Sequence, residues 1–304
     1  MTTPAEIAVE QPKEHRVRAN GVELACFEWG ADVRGNKPSI LMAHATGFHA
    51  RVWDAVIRRL GPRHIVAVDQ RGHGRSENVL FTDWRDVGED LAQLLDNFEF
   101  RDAIGVGHSM GARAMTIAAA VRPDAFSRLL LIDPVILNPE DYATGGWNIS
   151  IEDGEVHPTA RRKSRFDSPQ AMIDRFKDRP PYANFQPEAL RDYCEYGLLP
   201  ADDGDGFELA CAPATEASVY MSSRSNPEVY ESVRAVKAPV MILRAKLPPA
   251  DRAAMDFSSS PTWPGLAGEF PNGREVFLAD RSHFIPMESP DLVATYVNDF
   301  EPAT

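Results

Sequence analysis

The chain has 304 residues, of which 43% are hydrophobic and 25% are charged, and its formal net charge is −13 at pH 7. This length suits one large domain with an insertion or two modest domains, and the acidity disfavours binding to nucleic acid or to an anionic membrane surface. No apolar stretch approaches the roughly 20 residues of a membrane span, and the polar residues 1–14 are expected to form a flexible tail rather than a signal peptide.

The three cysteines, Cys26, Cys194 and Cys211, are far apart in the sequence. They form no CxxC pair, and no Cys/His cluster has the spacing of metal ligands. Free thiols of this kind are typical of a reducing compartment. We therefore expect a cytoplasmic protein that needs no metal ion or other cofactor.

Strands and helices alternate along the first part of the chain. The Asn-Gly turn at 20–21, flanked by alternating residues, predicts a hairpin. Short apolar runs without alternation predict buried strands, whereas apolar residues at helical spacing predict helices. The predicted strands are 16–19, 22–29, 39–43, 64–68, 102–106 and 128–134, and the predicted helices are 51–60, 86–98 and 112–121.

The pattern changes between residues 137 and 235, where apolar strands are missing and prolines are frequent. Helices are predicted there at 168–177, 187–196 and 214–222, with Ser168 as an N-cap. Strands resume at 239–245 and 275–278, and a last helix is predicted at 290–300. We interpret residues 15–136 and 236–304 as an α/β core domain, a mostly parallel sheet with helices on both faces. Residues 137–235 are interpreted as an inserted helical cap.

The most informative motif is GHSMG at residues 107–111, between a predicted strand and an alanine-rich helix. A serine on a sharp strand-to-helix turn has a strained backbone that exposes its hydroxyl, and flanking side chains would collide. The amino end of the following helix favours developing negative charge at Ser109. This context predicts a nucleophilic serine rather than an ordinary glycine turn.

Four segments together resemble the α/β-hydrolase fold family over residues 15–304. They are HATGF at 44–48, DQRGHGRS at 69–76, GHSMG at 107–111 and SHF at 282–284. The resemblance implies an eight-stranded sheet with a helical cap between the sixth and seventh strands. It also implies that Ser109 is the nucleophile and that His283 is its base, since His283 follows the serine in the chain order expected for this arrangement.

The resemblance further implies an oxyanion hole made of two backbone N–H groups, those of Thr46 and Met110. The family usually has glycine where this chain has Ala45. An alanine fits at this position if its φ is negative, so we expect the oxyanion hole to be retained.

The acid that orients His283 is ambiguous in the sequence. The family usually places it after the seventh strand, where this chain has Lys246-Leu247-Pro248-Pro249. Asp133 ends the sixth strand, 24 residues after Ser109, and is our first choice because some family members carry their acid there. Asp256 and then Asp251 are the alternatives.

A pocket over Ser109 is expected to bind the substrate, because ligand pockets are largely apolar with a few polar groups. The residues expected to line it are Phe48, His108, Trp147, Phe166, Tyr220 and Phe284. The basic run at 161–165 could receive an anionic group, although a solvated helix face is the simpler interpretation.

The predicted reaction is hydrolysis of a small-molecule carboxylic ester through an acyl-enzyme. A serine at the turn disfavours dehalogenase and epoxide hydrolase chemistry in this family. A thioesterase, an amidase, a carbon–carbon bond hydrolase or an acyltransferase would use the same residues, and a ligand-binding homologue with little turnover is an alternative from another class. No nucleic-acid or membrane partner is expected, and both a monomer and a homodimer are compatible with the sequence.

Overall fold

A computed structural model describes residues 11–80, 82–144, 156–249, 251–253 and 255–300. Within these ranges the strands are β1 (Lys13–Ala19), β2 (Val22–Trp29), β3 (Ile40–Ala43), β4 (Ile65–Val68), β5 (Ala103–His108), β6 (Phe126–Ile132), β7 (Arg165–Phe166), β8 (Leu198–Pro200), β9 (Phe207–Leu209), β10 (Val240–Ala245) and β11 (Gly273–Leu278). The α-helices are α1 (Asp54–Ile57), α2 (Arg85–Asn97), α3 (Met110–Val121), α4 (Pro139–Thr144), α5 (Pro169–Phe176), α6 (Pro187–Tyr196), α7 (Pro213–Met221), α8 (Val229–Ala235), α9 (Ile285–Glu288) and α10 (Pro290–Asp299).

Eight of these strands form one sheet in the order β1-β2-β4-β3-β5-β6-β10-β11. Strand β2 runs antiparallel to both β1 and β4, and the other neighbouring strands are parallel. This confirms the predicted α/β class and the eight-stranded, mostly parallel sheet. The predicted hairpin at Asn20-Gly21 joins β1 to β2, as the turn signal requires.

Helices cover both faces of the sheet because alternate side chains of each strand point to opposite sides. In β3, Leu41 and Ala43 belong to the apolar cluster that contains α2, α3 and α8. Ile40 and Met42 belong to the cluster on the other face, with α1 and α10. All four side chains are fully buried. This two-sided burial explains why the strands are apolar without alternation.

The parallel strands gather the polar residues at one edge of the sheet. Thr46 follows β3, Ser109 follows β5, Asp133 follows β6, and His283 lies in the loop after β11. The carboxyl ends of parallel strands meet at the same edge, where ligand sites of open α/β sheets lie. The fold therefore brings together residues that are up to 237 positions apart, from Thr46 to His283.

The segment between β6 and β10 is not wholly helical. It contains helices α5, α6 and α7 near the predicted positions, and Ser168 caps α5 by accepting a hydrogen bond from the Ala171 N–H at 3.1 Å. It also contains a three-stranded antiparallel sheet in the order β7-β9-β8. These strands are two or three residues long, too short for a period of two to show in the sequence.

Helix α8 belongs to the helical layer on the core sheet, although it falls within the predicted cap. Val229, Tyr230 and Val233 are buried in the same cluster as α3. The Tyr230 hydroxyl donates a 2.6 Å hydrogen bond to the carbonyl of Leu137. The part of the insertion that covers the carboxyl edge of the sheet therefore ends before α8.

The structure also bears on membrane and metal binding. None of the helices in the described part of the chain is long and apolar enough to cross a lipid bilayer. Across the same residues, no group of three or more His, Cys, Asp or Glu side chains could hold a metal ion. The three cysteines are buried free thiols.

Candidate active site

Ser109 occupies the turn between β5 and α3. Its backbone has φ 57° and ψ −116°, a conformation that is strained for a residue other than glycine. A Cβ atom added to Gly107 would lie 2.5 Å from the Cα atom of Ala112, and one added to Gly111 would lie 2.3 Å from the carbonyl oxygen of Ala43. The two glycines therefore let α3 begin directly behind the serine and against the end of β3.

The imidazole of His283 joins Ser109 to Asp133. Its Nε2 atom lies 3.0 Å from the Ser109 hydroxyl oxygen, and its Nδ1 atom lies 2.7 Å from Oδ2 of Asp133. The exposed fractions of Ser109, His283 and Asp133 are only 5%, 2% and 0%. A carboxylate acceptor at Nδ1 fixes the tautomer in which Nδ1 carries the proton and Nε2 accepts the serine proton. The arrangement is that of a nucleophile, a base and an orienting acid.

The other carboxylate oxygen of Asp133, Oδ1, lies within 3.2 Å of three groups that carry a polar hydrogen. These are the backbone N–H of Ala245 at 3.0 Å, the Ser260 hydroxyl at 2.5 Å and the Thr262 hydroxyl at 3.2 Å. A fully buried carboxylate needs such partners, since burial without them is costly. The loop after β10 thus brings hydroxyl groups to the acid.

The two alternative acids lie elsewhere on that loop. Oδ1 of Asp256 accepts a 2.8 Å hydrogen bond from the Ser258 N–H, and this bond lowers the pKa of Asp256. Asp256 is partly exposed and Asp251 is exposed. Of the three candidate acids, the structure places only Asp133 in hydrogen-bonding distance of His283.

Thr46 and Met110 lie side by side at the predicted oxyanion hole. The Thr46 hydroxyl donates to the Met110 sulfur at 3.6 Å. The backbone hydrogen bonds of the described residues leave the N–H groups of Thr46 and Met110 without an acceptor. Ala45 does not have a positive φ, so it meets the condition under which alanine can replace the family's glycine.

His108 does not line the pocket, contrary to the sequence-based expectation. It is 1% exposed, and its Nε2–H donates to the carbonyl oxygen of His283 at 2.9 Å. Burial, with a contribution from His283, lowers the pKa of His108 well below its ordinary value. A neutral His108 therefore supports the backbone of the loop that carries His283.

His44 and His73 hold the loops behind the predicted oxyanion hole. His44 donates from Nδ1 to the carbonyl of Ala45 at 2.7 Å and accepts the Gln70 N–H at Nε2, at 3.0 Å. His73 donates to the carbonyl of Arg71 at 2.9 Å. Burial lowers the pKa of His44 well below its usual range and that of His73 to about 4. Both rings are therefore neutral near pH 7.

A narrow pocket lies over Ser109, which forms part of its lining. Three of the six residues expected to line it, Phe48, Tyr220 and Phe284, do so. The complete lining is Ala45, Thr46, Phe48, Trp84, Ser109, Val135, Tyr220, Ser223, Phe257, His283 and Phe284.

Phe166 lies outside this pocket, so its expected role is wrong. It is 2% exposed in β7 and packs on Phe176, with the two ring centroids 6.1 Å apart. Its ring therefore packs against helix α5 rather than against the pocket. Trp147 lies outside the described residues.

Two lining residues, Trp84 and Phe257, were not identified from the sequence. Trp84 immediately precedes α2, and its indole N–H donates to the carbonyl of Val219 at 3.0 Å. Phe257 lies in the loop after β10, with its ring centroid 5.5 Å from that of His283. No local pattern marks either residue, because long-range packing on α7 and His283 creates both positions.

The segment between β6 and β10 contacts the loop after β3 through Glu216. A Cβ atom added to Gly47 would lie 2.6 Å from Oε1 of this glutamate. Glu216 accepts a hydrogen bond from Arg162, which also donates to the Tyr193 hydroxyl at 3.3 Å. Burial raises the pKa of Glu216, and the guanidinium of Arg162 opposes that rise. Arg162, which lies in the basic run at 161–165, therefore forms an ion pair with Glu216 inside the protein.

A mostly parallel α/β sheet with an activated serine at a strand-to-helix turn defines the class of α/β hydrolases. The chain belongs to the alpha/beta hydrolase family, whose family model matches residues 40–296. Membership supports a hydrolase as the general activity.

One curated relative and one solved structure are similar to this protein over nearly the whole chain. The 2-(acetamidomethylene)succinate hydrolase of Mesorhizobium japonicum is 27% identical over 304 residues, covering 99% of each chain. The crystal structure of E-2-(acetamidomethylene)succinate hydrolase superposes with a TM-score of 0.73 at 26% identity, covering 95% of this chain and 98% of the other. Human monoglyceride lipase is 32% identical over 152 residues, which covers 47% of this chain and 49% of the lipase.

Proposed function

We propose that this protein hydrolyses carboxylic esters through an acyl-enzyme formed on Ser109. The observation that carries the proposal is the hydrogen-bonded series from the Ser109 hydroxyl to His283 Nε2 at 3.0 Å and from His283 Nδ1 to Asp133 at 2.7 Å. Such a series activates a serine hydroxyl that is otherwise a weak nucleophile.

In the acylation half, His283 takes the Ser109 proton while the serine oxygen attacks the ester carbonyl carbon. The N–H groups of Thr46 and Met110 stabilise the oxyanion of the tetrahedral intermediate, and Asp133 stabilises the imidazolium. Collapse of the intermediate breaks the ester C–O bond. His283 then gives its proton to the leaving alcohol, and the acyl group remains on Ser109.

In the deacylation half, a water molecule takes the place of the alcohol. His283 removes its proton as the water oxygen attacks the acyl carbon, and the same two N–H groups bind the second oxyanion. Breaking the acyl–oxygen bond returns the proton to Ser109 and releases a carboxylic acid.

The pocket favours an uncharged substrate. Five of its lining residues are aromatic, and neither Lys nor Arg is among those that the structure describes there. The segment at 145–155, outside the described residues, contains no Lys or Arg either. A substrate carboxylate buried in this pocket would lack a cationic partner, which makes its desolvation costly. Esters with small or medium apolar acyl groups fit this lining.

A second candidate comes from the full-length similarity to 2-(acetamidomethylene)succinate hydrolase. The name of that relative denotes a dicarboxylate, so this protein would then hydrolyse a small dicarboxylic substrate. The uncharged lining of the described pocket favours the neutral ester instead.

The test combines active-site labelling with a substrate panel. A fluorophosphonate should label wild-type protein and leave Ser109→Ala unlabelled. Neutral p-nitrophenyl acetate, butyrate and octanoate should be hydrolysed with a higher kcat/KM than the anionic p-nitrophenyl hemisuccinate. Thioesters of the same acyl groups form a third arm of the panel.

Each outcome selects a different activity. Equal labelling of wild type and Ser109→Ala would refute Ser109 as the nucleophile. A preference for the hemisuccinate would support the dicarboxylate candidate, and faster thioester cleavage would identify a thioesterase. Labelling without turnover of any substrate would support a ligand-binding role.

A further inference from the structure

The loop after β10 supplies a buried serine, Ser260, to the acid. Ser260 is 1% exposed, and its N–H donates to the carbonyl of Lys246 at 2.8 Å. This backbone bond fixes the loop beside the end of β10. The Ser260 hydroxyl then lies 2.5 Å from Oδ1 of Asp133, the shortest of the three contacts that this oxygen makes.

The direction of the Ser260 hydroxyl hydrogen follows from its second contact. The backbone N–H of Thr262 donates to the Ser260 oxygen at 3.0 Å. Because that oxygen accepts from Thr262, its own hydrogen is available for Asp133. A hydroxyl group has one hydrogen to donate, and carboxylate oxygens only accept. Ser260 is therefore the donor to Asp133.

Thr262 has a different role, although its hydroxyl also lies near the carboxylate. Its oxygen is 2.8 Å from the carbonyl oxygen of Pro134 and 3.2 Å from Oδ1 of Asp133. We assign its single hydrogen to the shorter contact, with the carbonyl oxygen of Pro134. This leaves two donors that hold Oδ1 directly, the Ser260 hydroxyl and the Ala245 N–H.

We propose that Ser260 is a positioning residue that fixes the Asp133 carboxylate so that Oδ2 points at His283. The terminal torsion of an aspartate is broad, so two hydrogen bonds to Oδ1 restrict it far better than one. The proposal rests on the proposed function, in which Asp133 is the orienting acid. Ser260 acts through Asp133 and does not contact the substrate.

Adjacent serines provide a matched pair of variants. Ser259 is 0% exposed, and its hydroxyl oxygen has no hydrogen-bond partner in the described structure. Ser260→Ala and Ser259→Ala therefore each remove one buried hydroxyl from the same loop. Only Ser260→Ala also removes a hydrogen bond to Asp133.

The measurements are the rate of fluorophosphonate labelling, and kcat and KM for p-nitrophenyl acetate. We expect Ser260→Ala to lower both the labelling rate and kcat about tenfold to a hundredfold with KM unchanged, as for the loss of a hydrogen bond to a charged group. Ser259→Ala should stay within about twofold of wild type, following the small cost of removing an unpaired group. In an Asp133→Asn background, Ser260→Ala should have little further effect, because residues that act as a unit are not additive.

The outcomes separate the two proposals. If wild type is labelled and Ser260→Ala matches Ser259→Ala, the role of Ser260 is refuted while the proposed function stands. An equal loss from Ser260→Ala in both backgrounds identifies a purely structural residue and also refutes it. If wild type is not labelled, the proposed function fails and the role of Ser260 fails with it. Should Ser260→Ala not fold, Ser260→Cys keeps the volume with a weaker donor and should give an intermediate rate.

Discussion

Replacing Asp133 by asparagine should force the imidazole of His283 into the wrong tautomer. Oδ1 of Asp133 accepts hydrogen bonds from the Ala245 N–H and the Ser260 hydroxyl. The amide oxygen of the introduced asparagine should take the position of Oδ1, because an amide NH₂ group placed there would face two hydrogen-bond donors. The NH₂ group then faces His283 Nδ1, where Oδ2 now lies at 2.7 Å.

The consequence for catalysis is large. An NH₂ group at this position donates to Nδ1, so the imidazole proton moves to Nε2, the atom 3.0 Å from the Ser109 hydroxyl. A protonated Nε2 cannot accept the serine proton. The same substitution in a related triad lowers kcat about 10⁴-fold with the geometry intact, equivalent to about 5.5 kcal/mol of activation free energy. We expect a loss of this order here.

The assay is kcat for p-nitrophenyl acetate together with the rate of fluorophosphonate labelling. Asp256→Asn is the matched control, because Asp256 bonds to its own loop at the surface and its replacement should leave kcat within about twofold. Circular dichroism should show both variants folded. If Asp133→Asn keeps kcat within tenfold of wild type, or if Asp256→Asn loses as much, the assignment of the acid is wrong.

Three further predictions concern the turn, the buried histidines and the pocket. Gly107→Ala places a Cβ atom 2.5 Å from the Cα atom of Ala112 and should lower the free energy of unfolding by about 1–3 kcal/mol. The control is Gly268→Ala, which should change Tm little because no atom lies within 4 Å of an added Cβ. Burial lowers the pKa of His73 to about 4, below about 6.5 in the unfolded chain. The unfolded chain therefore binds a proton that the folded protein excludes, and stability falls as pH drops from about 6.5 toward 4. Between pH 6 and 5, urea unfolding should show wild type losing about 1.2 kcal/mol more of its unfolding free energy than His73→Gln. Parallel pH dependences of the two proteins would refute this. Tyr220→Ala widens the pocket and should raise kcat/KM for octanoate relative to acetate, unlike replacement of its exposed neighbour by Met221→Ala.

Most of the core fold could be predicted from the sequence because its strands are buried on both faces. Runs such as residues 40–43 and 65–68 have no polar interruptions. In the segment between β6 and β10, helices α5 and α6 could also be predicted, because each carries proline at its first turn. The cap strands could not be predicted, because β7 to β9 are stabilised by pairing between distant segments rather than by a local pattern. Helix α8 was not predicted, and the sequence of residues 229–235 does not show that they pack on the core sheet with α3.

The closeness of Ser109 and His283 could be expected from the sequence because each residue lies in a recognisable local segment. The pocket could not be predicted in the same way. Trp84 and Phe257 line it through contacts with α7 and His283, whereas Phe166 faces the cap interior. An aromatic residue in a cap has several possible neighbours, and only tertiary packing decides which of them buries its ring.

The ambiguity of the acid has a geometric origin in the order of the sheet. Strands β6 and β10 are neighbours, with Ile132 paired to Leu243, so their carboxyl ends lie about one strand spacing of roughly 4.8 Å apart. Asp133 has φ 45°, a conformation that aspartate tolerates better than most residues, and its carboxylate accepts the Ala245 N–H at the end of β10. The Asp133 carboxylate, which follows β6, therefore lies beside the end of β10, where the loop that carries the acid of other family members begins. A carboxylate from either strand can meet the same imidazole. In this chain the carboxylate beside His283 comes from Asp133, and the loop after β10 contributes the hydroxyl groups of Ser260 and Thr262.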